Sequence, residues 1–240
     1  MKDSPSTLPE GLVRLEKHIA SLGLASRREA KDLISRGFVT VNGRTVTNTS
    51  HGIDPAKDKV LVKKDTKNPK EYVLLYKPRG IETSKTNKNL KDIHDVFPAY
   101  KHLAPIGRLD AESEGLIILS NDGTLTKALT QIDSHIGKTY KVTVQERIQS
   151  AEIRRMAEGI VLDGTKTKPA EVNKLSDSVF TIVLHEGRKH QIRRMADAVH
   201  LTVTSLVRIG IGHIQVGHMR PSEARTLSSK DIDLLKKVSQ

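Results

Sequence analysis

Residues 115–120 read GLIILS, an apolar run unbroken until its last position. Charge bounds it on one side and Asn121-Asp122-Gly123 on the other, so it is too short for a helix and fits a strand covered on both faces. Such a strand needs protein above and below it, which commits the chain to a layered sheet. The residues ahead of it, PIGRLDAESE, place four charges in ten positions, with Asp110 five residues before Gly115. A surface turn closed by an Arg108–Asp110 ion pair is one account of that loop. The other is a reactive carboxylate on a rigid mount, where partial desolvation raises the pKa of Asp110 and a nearby guanidinium lowers it again.

From Tyr72 onward further strands are predicted: YVLLY, YKVTV, VFTIVL and a C-terminal VRIGIGHIQVG. Helical pieces interleave near 124–132, 150–158, 188–199 and 229–237, with Thr124 as the expected cap of the first. Strands with isolated helices in no strict alternation predict an α+β domain on a mixed, largely antiparallel sheet with flanking helices.

The first seventy residues follow other rules. Leu12, Leu15, Ile19 and Leu22 recur at helical spacing and Gly23 ends that helix. Ser26-Arg27-Arg28-Glu29 is a capping box opening a second helix, which Gly37 closes. Asn42-Gly43 predicts a two-residue hairpin in FVTVNGRTV, and residues 60–62, VLV, add a short strand. The expected organisation is a disordered lead over 1–11, a small α/β module over 12–63, a polar linker over 64–71, and a larger domain over 72–240. The opening MKDSPSTLPEG lacks an apolar core and a cleavage pattern, and the chain has no cysteine. A cytoplasmic protein without disulfides is expected. No apolar run approaches the roughly 20 residues that span a bilayer, so no membrane partner is expected.

Charge narrows the partners. Forty Lys and Arg against 28 Asp and Glu give +12, and residues 1–70 carry 14 against 8, half of the excess. A strongly basic chain of this kind most often meets a polyanion. Arg27, Arg28, Lys31 and Arg36 lie on the second helix beside the hairpin; a solvated face is one reading of them, phosphate contact the other. With seven aromatics and no tryptophan, an extended base-stacking platform is not expected.

A second constellation, HEGRKHQIRRM at 185–195, places Arg188, Lys189, Arg193 and Arg194 near a helix start, against the preference of the helix dipole. Rules of that sort are broken most often at functional sites. His185 and His190 tempt a metal reading, but no cysteine or close carboxylate completes a ligand set, and no metal is expected.

The stretch RLEKHIASLGLASRREAKDLISRGFVTVNG resembles the S-four RNA-binding domain. With Lys77-Pro78-Arg79-Gly80, Gly107-Arg108-Leu109-Asp110, Ser113-Glu114-Gly115-Leu116, Asn121-Asp122-Gly123, Lys138 with Tyr140, Gly187 through Met195, and Leu206-Val207-Arg208, the chain resembles the ribosomal-RNA pseudouridine synthases that carry such a domain. The resemblance runs over about residues 12–230. It departs at Tyr76, where members often have asparagine, and at Ser222-Glu223-Ala224-Arg225, where many have Gly-Glu-Trp-Arg.

The resemblance implies a mixed sheet with a central cleft and no cofactor. It implies that Asp110 is the catalytic aspartate, that Tyr140 stacks on the target base, that Arg193 pairs with the aspartate, and that Arg108 fills the space left by an extruded uridine. Lys77, Arg188, Gln191, Arg194 and Arg208 join them as expected substrate contacts. The expected partner is ribosomal RNA, large-subunit over small-subunit, or a ribosomal assembly intermediate, bound by a monomer. Two other readings are a non-catalytic RNA-binding or assembly factor on the same scaffold and a metal-dependent nuclease. The first leaves a carboxylate loop unexplained in a protein that binds a polyanion; the second lacks an acidic cluster.

Overall fold

The computed structural model describes residues 8–9, 11–63, 65, 68–131 and 136–238. Residues 1–7 and 10 of the lead expected over 1–11, and residues 64, 66 and 67 of the linker expected over 64–71, lie outside the described residues. The chain divides into two compact units, Met1–Lys70 with Asp122–Lys127, and Glu71–Asn121 with Ala128–Gln240.

The first unit runs β1 (Val13–Arg14), α1 (Leu15–Ser21), α2 (Arg27–Ser35), β2 (Val39–Val41), β3 (Arg44–Val46), β4 (Gly52–Ile53) and β5 (Val60–Val62). The capping box forms as predicted: Ser26 Oγ accepts from the Glu29 amide at 3.3 Å, and Glu29 Oε2 accepts from the Ser26 amide at 2.9 Å. Asn42 and Gly43 take φ of 52° and 80°, as the tight turn between β2 and β3 requires. β5 adds to the other side of β2. Leu15, Ile19, Ala30, Ile34, Val39 and Ile53 make the core. One expectation is corrected here. Helix α1 begins at Leu15, not near Leu12, because Val13 and Arg14 pair with Ile53 and Gly52 as a strand. Periodicity alone could not show that pairing.

The rest of the chain runs β6 (Tyr72–Lys77), α3 (Ile93–Val96), β7 (Ala104–Ile106), β8 (Glu114–Ser120), α4 (Gly123–Thr130), β9 (Lys138–Val144), α5 (Ser150–Glu158), β10 (Val161–Leu162), β11 (Thr165–Lys166), β12 (Glu171–Ser176), β13 (Val179–Leu184), α6 (Gln191–Asp197), β14 (Val203–Ile211), β15 (Ile214–Gln215), β16 (Ala224–Thr226) and α7 (Ser229–Val238). Asp122, rather than Thr124, caps α4: its carboxylate accepts from the amides of Thr124 and Leu125 at 3.0 and 3.4 Å.

Seven strands lie in the order β12-β13-β9-β14-β8-β6-β16, with β15 against β14 and β7 against β8. The β14–β8 pair is parallel and the other pairings are antiparallel, so the sheet is mixed and largely antiparallel, as the sequence predicts. β8 sits between β6 and β14, and every residue from Gly115 to Ser120 is buried. Ile117 and Leu119 pack on one face against Ile81, Ile93, Phe97 and Leu103. A separate core joins β9, β13 and β14 to α5 and α6 through Val142, Phe180, Ile182, Leu206, Met156, Ile192 and Met195. Each such side chain contributes about 1.5–3 kcal/mol on burial, so the middle strands are the stiff part of this unit. Strands β12 and β16 lie at the edges; most of their residues are exposed, so they carry no apolar alternation to read.

Candidate active site

The turn before β8 is held from four directions. Ser113 N donates to Asp110 O at 3.0 Å, closing the turn, and Gly80 N donates to Ala111 O at 2.8 Å. Thr83 Oγ1 donates to Leu109 O at 2.7 Å and accepts from Leu109 N at 2.9 Å, so one buried hydroxyl holds both backbone groups of the residue before Asp110. Arg79 Nη2 meets Glu112 Oε2 at 2.9 Å on the outside. On the inner side Arg208, 3% exposed, donates from Nε to Leu116 O at 2.6 Å and from Nη1 to Arg108 O at 3.5 Å. Its third nitrogen, Nη2, is buried without a hydrogen-bond partner, as is Ser113 Oγ.

Glycine at 115 is required by this arrangement. Its φ is +108°, and a Cβ there would stand 2.3 Å from the carbonyl oxygen of Arg208. The parallel β8–β14 contact that brings Arg208 under the turn depends on that close approach.

A cleft of about 960 Å³ opens beside the turn, at the upper end of the roughly 300–1,000 Å³ usual for ligand sites. Arg108 and Asp110 from the turn, Lys138 and Tyr140 from β9, Arg208 from β14, and Arg188, Lys189, His190 and Gln191 from the 185–191 segment all line it. Tyr140 stands opposite Arg208 on β14 and Ile182 on β13, half-buried, with its ring against the core. Burial and the charge of Arg208 pull Lys138 below the usual lysine range. Cations outnumber carboxylates around the opening, which suits a phosphodiester substrate.

Several sequence expectations are corrected by this geometry. The side chain of Asp110 is 44% exposed at the cleft. Arg193 does not pair with it. That guanidinium donates to Val203 O and Glu112 O, both at 3.2 Å, and so braces the turn from the flank. The group in ion-pair range of Asp110 is His190, with Nε2 at 3.5 Å from Oδ1. His190 has a left-handed backbone, φ 52° and ψ 30°, a conformation that costs a non-glycine residue about 1–3 kcal/mol.

Lys77 does not reach the cleft. It is fully buried, and Nζ donates to Ile81 O at 2.7 Å and Pro78 O at 3.1 Å, tying the 77–81 turn. Burial lowers its pKa to about 8, although Asp110 and Glu114 pull the other way. Arg194 binds Asp163 at 2.6 Å outside the cleft. Arg188 faces the cleft, but its guanidinium is engaged by Thr165 O, Lys166 O and Glu186. Gln191 is buried, accepting from Arg188 N at 3.0 Å and donating to Glu186 Oε1 at 2.7 Å. Arg108 stands exposed at the edge of the cleft.

In the first unit, Arg27, Arg28 and Lys31 are exposed on α2. Arg36 differs from them: it is bound to Asp32 at 2.8 Å and Asp65 at 2.6 Å and lies over the Phe38 ring.

The family model for RNA pseudouridylate synthase matches residues 71–198, and the model for the S4 domain matches residues 13–60. Ribosomal large subunit pseudouridine synthase B of Bacillus subtilis is 34% identical, over 94% of this chain and 96% of its own. The chain belongs to the RNA pseudouridine synthase family. The dual-specificity RNA pseudouridine synthase RluF of Escherichia coli is 35% identical over 96% of this chain and 81% of its own. A crystal structure of a pseudouridylate synthase, 31% identical, matches with a TM-score of 0.70 over 93% of this chain and 99% of that one. The protein is therefore an isomerase of this family, with an N-terminal S4 domain.

Three residues around this turn and cleft were given no such role by sequence reasoning. Thr83 has no local signal, since its partner is 26 positions away. Ser113 stands in a segment that carries the resemblance, but no role was assigned to it. His190 was weighed only as a metal ligand, although its place between two cationic stretches could have marked it.

Proposed function

We propose that this synthase converts one defined uridine of ribosomal RNA, in the large subunit, to pseudouridine, with Asp110 as the catalytic carboxylate. The observation that carries the reading is the mounting of Asp110: a turn fixed by Thr83, Gly80, Arg208 and Arg193 presents an exposed carboxylate at the edge of a cationic cleft. One of the similar proteins is named for ribosomal large-subunit activity, which supports ribosomal RNA as the substrate.

The reaction breaks the bond between ribose C1′ and uracil N1 and forms one from C1′ to C5. The base turns between the two steps. C5 gives up a proton and N1 gains one, so atoms and charge balance within the substrate and water. Asp110 meets either C1′ or the base, and in both cases must stay ionised and aimed. The target leaves its stack at a cost of a few kcal/mol. Arg108 at the cleft edge takes its place, Tyr140 receives the base, and Arg208 and Lys138 supply positive potential at the floor. Arg27, Arg28 and Lys31 hold phosphates elsewhere on the RNA. The enzyme acts as a cytoplasmic monomer on ribosomal RNA or an assembly intermediate.

Ribosomal RNA transcripts carrying tritium at uridine C5 test this. Wild type is expected to release tritium to water from large-subunit RNA, and Asp110→Asn to release none. Release by both proteins would remove Asp110 from the chemistry. Silence of wild type on naked RNA and on immature subunits alike would favour a non-catalytic RNA-binding factor.

A further inference from the structure

We infer that Lys138 is a further catalytic residue: its ammonium meets the negative charge that uracil acquires as the bond to its ribose breaks. The inference rests on the functional reading above and deepens it.

Lys138 opens β9 two residues before Tyr140, so both side chains leave the same face of the strand, and both line the cleft. Lys138 stands opposite Ile211 on β14 and Leu184 on β13, while Tyr140 stands opposite Arg208. Ile106, Leu184, Leu206 and Ile211 line the same cleft, so the lysine is half-buried beside an apolar wall.

A cation in such a place ordinarily has carbonyls or a carboxylate set against it. Lys77 follows that rule: its Nζ is bound by Pro78 O and Ile81 O, and Asp110 and Glu114 favour its charge. Lys138 does not. Among the described residues its ammonium has no hydrogen bond or ion pair, and burial and the charge of Arg208 both oppose its own. Arg208 reaches only the carbonyls of Leu116 and Arg108, and its Nη2 is buried without a partner. Two cations therefore share the cleft with no carboxylate in ion-pair contact with either. An uncompensated, partly desolvated charge of this kind is found most often where function requires it.

The reaction supplies the missing anion. Attack of Asp110 on C1′ expels uracil with the electron pair of the C1′–N1 bond, spread over N1, O2 and O4. Addition of Asp110 to C6 instead drives a pair onto O4. In either route a carbonyl oxygen of the base gains charge that the bound uridine lacks. Lys138 Nζ donates a hydrogen bond to that oxygen and keeps its proton. When C5 joins C1′ the pair enters the new bond, Asp110 is released, C5 loses its proton to water and N1 takes one up. A donor set against charge that exists only along the reaction speeds the step rather than tightening binding, and apolar walls strengthen it. A phosphodiester carries its charge throughout, so a lysine serving it would act on affinity instead.

Two measurements test this, one of them without turnover. In single turnover on the tritiated transcript, Lys138→Met keeps the apolar stem and removes the charge. It is expected to slow release about 100-fold, with RNA affinity within about threefold of wild type and the same salt dependence. Lys138→Arg should recover most of the rate. A Met variant at wild-type rate would overturn the inference. So would a loss of affinity with about one unit of salt slope, the mark of a phosphate contact. Barbiturate, a planar anion of the shape of uracil, probes the same group directly. By ligand-observed NMR, wild type should bind it about tenfold tighter than neutral uracil, the scale of one charge-assisted hydrogen bond, and Lys138→Met should lose that preference. Absence of the preference in wild type sinks the inference even if the transcript proves not to be the substrate. A preference that holds in a protein that turns over no RNA counts against the functional reading alone.

Discussion

Thr83 holds Leu109 by both of its backbone polar groups, donating to the carbonyl at 2.7 Å and accepting from the amide at 2.9 Å. Both residues are buried, and Asp110 is the next residue along. The orientation of the exposed carboxylate thus begins at a hydroxyl that never sees solvent. Thr83→Val keeps the shape and removes both bonds. Leaving buried groups unpaired costs about 1–3 kcal/mol each, so urea unfolding should show a loss in that range or somewhat above. Tritium release should fall more than the stability loss explains, because the loop that carries Asp110 is freed while the protein is still folded.

Gly115→Ala should be far more damaging than an ordinary strand substitution. The new Cβ would stand 2.3 Å from Arg208 O and 2.7 Å from Arg208 N, both backbone atoms of a central strand, and the φ of +108° is unsuited to alanine. Nothing flexible is there to yield. A loss of about 3 kcal/mol or more is expected, read as a lower melting temperature. A variant as stable as wild type would mean that β8 and β14 separate more easily than their pairing implies.

Lys77 makes stability depend on pH on the alkaline side. Burial holds its pKa at about 8 in the folded chain against an ordinary 10.5. Below pH 8 both folded and unfolded chains carry the proton, and the contribution is constant. Between about 8 and 10.5 the unfolded chain binds more protons, so stability rises with pH. A neutral amine still has two N–H groups for Pro78 O and Ile81 O, so those bonds survive deprotonation. Unfolding at pH 8 and 9.5 should show wild type gaining on the order of 1 kcal/mol relative to Lys77→Met over that interval.

The basic face of α2 should divide into two classes. Arg27 and Arg28 are exposed, and reversing both to glutamate should weaken RNA binding strongly at low salt and flatten the salt dependence by about one phosphate contact per residue. Arg36 is bound by Asp32 and Asp65, so Arg36→Gln should cost less affinity and more stability of the small unit. Filter binding at several salt concentrations separates these outcomes. Equal effects on affinity would place Arg36 in the contact surface as well.

Much of this was legible in the residues. The strand VFTIVL is β13 residue for residue, and its exposure alternates as its apolar pattern does. The capping box at Ser26 and the Asn42-Gly43 turn act through φ preferences and hydrogen bonds spanning three or four positions, so sequence fixes them locally. Strands β12 and β16 were not legible, because a sheet edge needs no apolar side chains to pair its backbone. The start of α1 was misplaced for a similar reason: Val13 and Arg14, which lie between the periodic Leu12 and Leu15, were taken by a strand partner nearly forty positions on.

The sequence by itself determined a buried strand, GLIILS, with a charged turn carrying Asp110 in front of it, and a cationic segment at 188–194 elsewhere in the chain. Only the tertiary structure decided which group of the turn each of these side chains meets. Arg193 and His190 are three residues apart on a short helix start, yet one braces Glu112 O and the other faces Asp110. That choice depends on the register of β14 against β8, on the absence of a Cβ at Gly115, and on a left-handed turn at His190. Each is a steric condition on residues distant in sequence. Charge and periodicity place such groups in the same region but do not aim them.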